Sequence, residues 1–138
     1  MRIYCDSSAL LKRLFDEPES TSLEIYLADH VSREHELVTS ALTRVEINRA
    51  IRARRVASDP GEWFRYERHA LSGVHELVLD APTLSLARTV GSPALRSLDA
   101  IHLAAAIQAD VDLMLTYDQR LAEVAMEMGI ETARPDVI

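Results

Sequence analysis

Short apolar runs alternate with longer stretches in which apolar residues recur every three to four positions, a pattern that predicts strands feeding helices along the whole chain. Arg2 to Cys5 reads as a strand, after which Leu10, Leu11 and Leu14 share one side of a helix from Ser7 to Phe15 that ends near Glu17-Pro18. Ser20 can cap a helix carrying Leu23, Tyr26 and Leu27. Glu36 to Thr39 reads as the second strand, and Ser40 or Thr43 opens a long helix to about Val56. Asp59-Pro60-Gly61 starts a helix with Trp63, Tyr66, Ala70 and Leu71 at helical spacing, followed by a short strand at Leu77-Val78-Leu79. A helix from Thr83 to Val90 is interrupted at Gly91-Ser92-Pro93. Ser97 is placed to cap an apolar helix through Ala109, and Leu113 to Thr116 forms a strand. Asp118 caps the last helix, which ends near Met128-Gly129, and Ile130 to Thr132 adds an edge strand.

Parallel strands need crossover helices, so this order predicts an α/β fold with a mostly parallel central sheet of four to five strands. There is no internal repeat and no linker, and 138 residues suit one domain over 1–138 with a substantial core.

Three acids stand at or just beyond strand ends: Asp6 after the first strand, Glu46 in the helix that follows the second, and Asp118 after Leu113 to Thr116. In a parallel sheet those ends share one edge, where open α/β sheets bind ligands. Asp99, in the first turn of the apolar helix, is assigned to the same edge from helix direction. Taken singly, each acid also reads as a helix-start residue: Asp6 and Asp118 as N-caps, Asp99 as a first-turn charge, and Thr43 to Glu46 as a capping box. Taken together, they would repel one another unless a cation sits between them. Oxygen-only ligands suit a hard divalent ion such as Mg2+ or Mn2+. Zinc is disfavoured, because Cys5 is the sole cysteine and His30, His35, His69, His75 and His102 lack metal-ligand spacing. His102, one turn after Asp99 on an apolar helix, reads as a core or supporting histidine rather than a ligand.

The total charge of −7 points away from nucleic acid, but it is unevenly spread. Residues 44–68 carry seven arginines against four acids, a net of +3 that leaves −10 on the remainder. Within it Arg44, Arg52 and Arg55 share a helix face, with Arg49 offset, and arginine suits bidentate contact with phosphate. A solvated charged helix is the alternative. Asp6 interrupts any signal-like apolar stretch, no run is long and apolar enough to span a membrane, and one buried cysteine suits a reducing cytoplasm. Phosphate-binding glycine loops are absent, and a receiver-type phosphoacceptor would need a lysine near the phosphate, whereas Lys12 lies in the first helix.

The run Tyr4 to Lys12, the helix-borne Glu46, the segment Leu98-Asp99-Ala100-Ile101-His102-Leu103-Ala104 and the segment Leu115-Thr116-Tyr117-Asp118-Gln119-Arg120-Leu121 together resemble PIN-domain ribonucleases, most closely VapC toxins of toxin-antitoxin pairs. The resemblance spans nearly the whole chain. It implies a three-layer α/β/α fold and a Mg2+- or Mn2+-dependent endoribonuclease, usually a homodimer, that joins a small VapB-type antitoxin in a hetero-oligomer. Asp6 and Asp99 match the principal metal ligands, Glu46 and Asp118 complete the quartet, and Ser7, Ser8 and Thr116 match hydroxyls that hold the carboxylates or a metal-bound water. Arg44, Arg49, Arg52 and Arg55 would meet the RNA backbone. A non-catalytic PIN-like module that docks protein or RNA is the alternative function.

Overall fold

The computed structural model describes residues 1–137; Ile138, the last residue of the expected 1–138 domain, lies outside the described residues. Five strands, β1 (Arg2–Cys5), β2 (Glu36–Ser40), β3 (His75–Leu77), β4 (Leu113–Leu115) and β5 (Glu131–Ala133), form one sheet in the order β3-β2-β1-β4-β5. Every neighbouring pair is parallel, with Tyr4 of β1 facing Val38 of β2 and Met114 of β4. The seven helices are α1 (Ser7–Leu11), α2 (Ser20–Ser32), α3 (Ala41–Arg54), α4 (Pro60–Ala70), α5 (Ala81–Ala87), α6 (Ser97–Gln108) and α7 (Gln119–Glu127).

Period-two alternation along the strands sorts the core into two layers. Ile3, Cys5, Leu37, Leu113 and Leu115 pack with Leu10, Leu23, Leu27, Ile47, Ile51 and Ala70 from the first four helices. Tyr4, Val38 and Met114 point the other way and meet Leu103, Ala104, Leu121, Val124 and Ala125. The three-layer α/β/α fold is therefore as expected. Alanines 100, 104, 105 and 106 are buried on α6, which lets that helix lie close to its neighbours.

From β1 the chain builds outward through β2 to β3, then returns across the sheet to β4 and continues outward to β5. The order reverses between β1 and β4, so the crevice at their C-terminal ends is the topological switch point. Asp6 and the Thr116–Asp118 segment are the residues that leave those two strands, and Asp6 N donates to Leu115 O at 3.2 Å.

Several boundaries differ from expectation, each for a local reason. Helix α1 stops at Leu11 rather than Phe15, because from Lys12 to Leu14 the backbone bonds tighten to residues three back. Ser20 does not cap α2. Its hydroxyl accepts from Glu17 N and donates to Phe15 O, and Glu19 occupies the cap position. Ser40 precedes α3 without a side-chain cap bond, and the Thr43 to Glu46 capping box does not form: Thr43 Oγ1 pairs with Thr39, and Glu46 turns elsewhere.

Strand β3 lies two residues earlier than expected. Pairing with β2 draws His75 and Glu76 into the ladder and leaves Val78 81% exposed. Helix α5 likewise starts earlier, behind Asp80, whose carboxylate accepts from Thr83 N and Oγ1. Ser97 is the first residue of α6 and Arg96 holds its cap position, again without a side-chain bond. Asp59 and Asp118 cap α4 and α7 as expected.

Candidate active site

Asp6 is 3% exposed at the switch point and is fixed by three donors. Oδ1 accepts from Ser8 Oγ at 2.7 Å and from Ala9 N at 3.1 Å, and Oδ2 accepts from Thr116 Oγ1 at 2.6 Å. Those hydroxyls are themselves oriented, since Ser8 Oγ accepts from Tyr117 N at 2.8 Å and Thr116 Oγ1 from Asp118 N at 3.0 Å. The β1–α1 turn and the β4–α7 turn are thereby knotted together through one carboxylate. Ser8 and Thr116 both donate to it, whereas Ser7 makes no side-chain hydrogen bond among the described residues.

Asp118 caps α7, its Oδ1 accepting from Arg120 N at 2.9 Å and Leu121 N at 3.2 Å. Cap and site residue are thus the same side chain for Asp6 and for Asp118. Glu46, half-buried in the second turn of α3, is met by His102 of α6: Nε2 donates to Oε1 at 2.6 Å, and Nδ1 lies 2.7 Å from the Tyr4 hydroxyl. A carboxylate can only accept, so the proton shared with Glu46 belongs to Nε2. Burial pushes the Tyr4 phenol up and keeps it protonated, with its hydroxyl in hydrogen-bond reach of Nδ1. His102 is 2% exposed and acts as a support, as its apolar helix suggested.

Asp99 stands in the first turn of α6, half-buried. Its carboxyl is raised above the usual carboxylate range by burial, then by the charge of Asp118, with Asp6 and Glu46 adding to the effect and His102 opposing it. Burial also raises Asp6, against His102 and the bonds from Ser8, Thr116 and Ala9. Asp99 is thus the carboxylate on which the charges of the other three bear. Asp6, Asp99 and Asp118 each sit at a helix start, where the helix dipole favours negative charge.

Among the described residues no three His, Cys, Asp or Glu side chains are gathered closely enough to hold a metal ion as they stand. Glu46 Oε2, Asp118 Oδ2 and both oxygens of Asp99 take no protein donor among the described residues. An all-oxygen donor set with unspent lone pairs fits a hard cation that retains water.

Asp99 and Asp118 share a cleft of about 500 Å³ with Arg96, Gln119, Arg120 and Glu123. The sequence reading missed both arginines; the available signal was their position, three residues before Asp99 and two after Asp118. Of the arginines it did select, Arg44 is committed elsewhere. Its Nε and Nη2 lie 2.8 and 2.6 Å from Glu76 Oε2, and Nη1 pairs with Glu67. It ties α3 to α4 and β3. Arg49, Arg52 and Arg55 are exposed and form no ion pair among the described residues. Arg49 lies one turn beyond Glu46, while Arg55 leaves the helix in a left-handed conformation with φ 52°.

A parallel sheet with carboxylates at the C-terminal end of its switch point defines an α/β domain whose candidate site lies at that edge. The PIN domain family matches residues 3–127, and the chain belongs to that family. Two Mycobacterium tuberculosis proteins are close to it in sequence. Ribonuclease VapC47 is 44% identical over 138 residues, covering 99% of this chain and 98% of that protein. Ribonuclease VapC46 is 40% identical over 136 residues, covering 96% and 97%. Among solved structures, a chain of VapBC2 from Rickettsia felis, bound to a DNA fragment from their promoter, superposes with a TM-score of 0.74 at 10% identity, covering 99% of this chain and 100% of that one. That likeness extends the fold assignment to the full sheet and helix order.

Proposed function

We propose that this chain is a divalent-metal-dependent endoribonuclease, the toxin of a type II toxin-antitoxin pair, acting in the cytoplasm as one PIN-like domain over 1–138. The observation that carries the reading is the shared cleft of Asp99 and Asp118 at the switch point, next to Asp6, with Asp99 raised by burial and then by Asp118, Asp6 and Glu46. Near-full-length similarity to VapC ribonucleases supports it. Asp6 and Asp99 would be the principal ligands of Mg2+ or Mn2+, with Glu46 and Asp118 completing the set directly or through water. When bound, such an ion offsets charge on the phosphate and lowers the pKa of a coordinated water.

The chain's own residues supply orientation. Ser8 and Thr116 hold both oxygens of Asp6. His102 fixes one oxygen of Glu46 and leaves the other available. No helix among the described residues is long and apolar enough to cross a membrane, and burial pushes the Cys5 thiol up to about 12, so it stays unreactive. Partners consistent with the reading are an RNA substrate, a VapB-type antitoxin whose basic side chain could enter the acidic site, and a second copy of the chain.

Magnesium titration of the purified protein tests the proposal. RNA cleavage and thermal stability should rise together with Mg2+. Asp6→Asn and Asp99→Asn should each lose cleavage while remaining folded by circular dichroism. Full metal-dependent cleavage by both variants would overturn the site, and a wild type that binds no Mg2+ and cuts no RNA would favour a non-catalytic module.

A further inference from the structure

An acidic site that must receive a polyanion needs positive charge close by, and the expected basic helix supplies little of it at the cleft. Arg44 is consumed by Glu67 and Glu76, and Arg49, Arg52 and Arg55, spread along and beyond α3 after Glu46, do not line the cleft of Asp99 and Asp118. Arg96 and Arg120 differ. They line the same cleft as Asp99 and Asp118, from the starts of α6 and α7. Among the described residues neither guanidinium pairs with a carboxylate or makes a side-chain hydrogen bond, although Asp99, Asp118 and Glu123 are cleft neighbours. Both are exposed, so their donors face solvent.

We propose that Arg96 and Arg120 form a two-arginine clamp that grips the RNA backbone phosphates beside the bond to be cut. The inference rests on the ribonuclease reading above. Arginine presents a planar fork of donors matched to phosphate oxygens, and two forks rising from different helices can hold successive phosphates of one strand. Charge supports the assignment. With Asp6 and Glu46 counted beside Asp99, Asp118 and Glu123, five carboxylates face two arginines, a net −3 that one divalent cation reduces to −1. The arginines and a cation together thus offset most of the acidity that would repel a phosphate chain. The backbone of Arg120 adds a fixed element, because its N–H is spent on Asp118 Oδ1 and anchors the residue at the cleft floor.

The test measures binding of an end-labelled single-stranded RNA by fluorescence anisotropy across a salt series, with Ca2+ as the divalent ion, and cleavage separately in Mg2+. The double variant R96A/R120A should bind at least about tenfold more weakly, and its log–log salt slope should fall by about 1.4, the contribution of two single-strand phosphate contacts. Arg96→Lys with Arg120→Lys should keep the slope and lose affinity, since charge remains while the fork is gone. Cleavage should show a raised KM, with Mg2+ affinity measured by titration calorimetry not reduced. Unchanged affinity and slope in R96A/R120A, beside a wild type that cleaves, would overturn the clamp alone. A wild type that neither binds nor cleaves RNA would overturn the ribonuclease reading on which it stands.

Discussion

His102 Nε2 lies 2.6 Å from Glu46 Oε1 while its Nδ1 lies 2.7 Å from the Tyr4 hydroxyl, so a buried tyrosine on the central strand sets the direction of a carboxylate on α3. Removing the ring in His102→Ala takes from the buried Tyr4 hydroxyl its bond to Nδ1 and empties core volume. Urea unfolding should show a loss of about 2–4 kcal/mol. Tyr4→Phe removes only the outer bond and should cost about 1 kcal/mol, with most cleavage retained. Full cleavage by folded His102→Ala would mean that Glu46 is not directed through the ring.

Thr116 serves Asp6 as donor and Asp118 N as acceptor. Thr116→Val keeps the shape and removes both bonds, and should cost about 1–3 kcal/mol with a fall in cleavage of tenfold or more, on the order expected when a ligand's support is lost. Thr116→Ser should retain both. Denaturant unfolding and initial rates on one RNA, measured for the pair, distinguish loss of the hydroxyl from loss of packing.

Asp99 gives a pH dependence whose sign follows from its raised carboxyl. The folded state holds that proton more tightly than the unfolded chain does. The associated stability is fully present below the unfolded carboxylate value, about 4, and is lost as pH rises through the folded value. Asp99→Asn removes the penalty. Without divalent ions its melting temperature should therefore exceed that of wild type at neutral pH, and the gap should close as the buffer is taken toward pH 4. Added Mg2+ should raise wild type more than the variant. Scanning fluorimetry over pH reads both effects, and a wild type that melts higher at neutral pH would contradict the repulsion.

Gly91 closes the turn before α6 with φ 73°, and a methyl there would stand 2.8 Å from Val124 Cγ1. Gly91→Ala combines a left-handed backbone with a clash against α7. A cost of about 2–4 kcal/mol is expected from overpacking together with backbone strain. Because the same turn leads to Arg96 and Asp99, cleavage should fall more than the loss of folded protein accounts for, as compared by activity per folded molecule.

Much of the site was legible because strand ends in a parallel sheet share an edge, which brought Asp6, Glu46 and Asp118 together from their positions alone. The choice between cap and site for Asp6 and Asp118 was not a real alternative, since a cap spends one oxygen on the helix start and leaves the other for the cleft or a hydroxyl. What stayed hidden was decided by distant partners. Arg44 looked free in its own segment, but Glu76 reaches it from the neighbouring strand's far side of the sequence. The register of β3 follows from pairing with Ser40, Thr39 and Val38, and overrides the apolar run at Leu77 to Leu79. The Tyr4–His102–Glu46 chain draws on three segments and has no local signature.

The knot between Asp6 and Thr116 joins the first strand to nearly the last turn of the chain, across 110 residues. A ribosome making this protein must finish β4 and the start of α7, and release them from its exit tunnel, before Asp6 is seated and Asp118 exists beside Asp99. A chain that stops before Thr116 lacks both the hydroxyl that seats Asp6 and the Asp118 carboxylate, so the candidate site is assembled late in synthesis, after β4 has emerged.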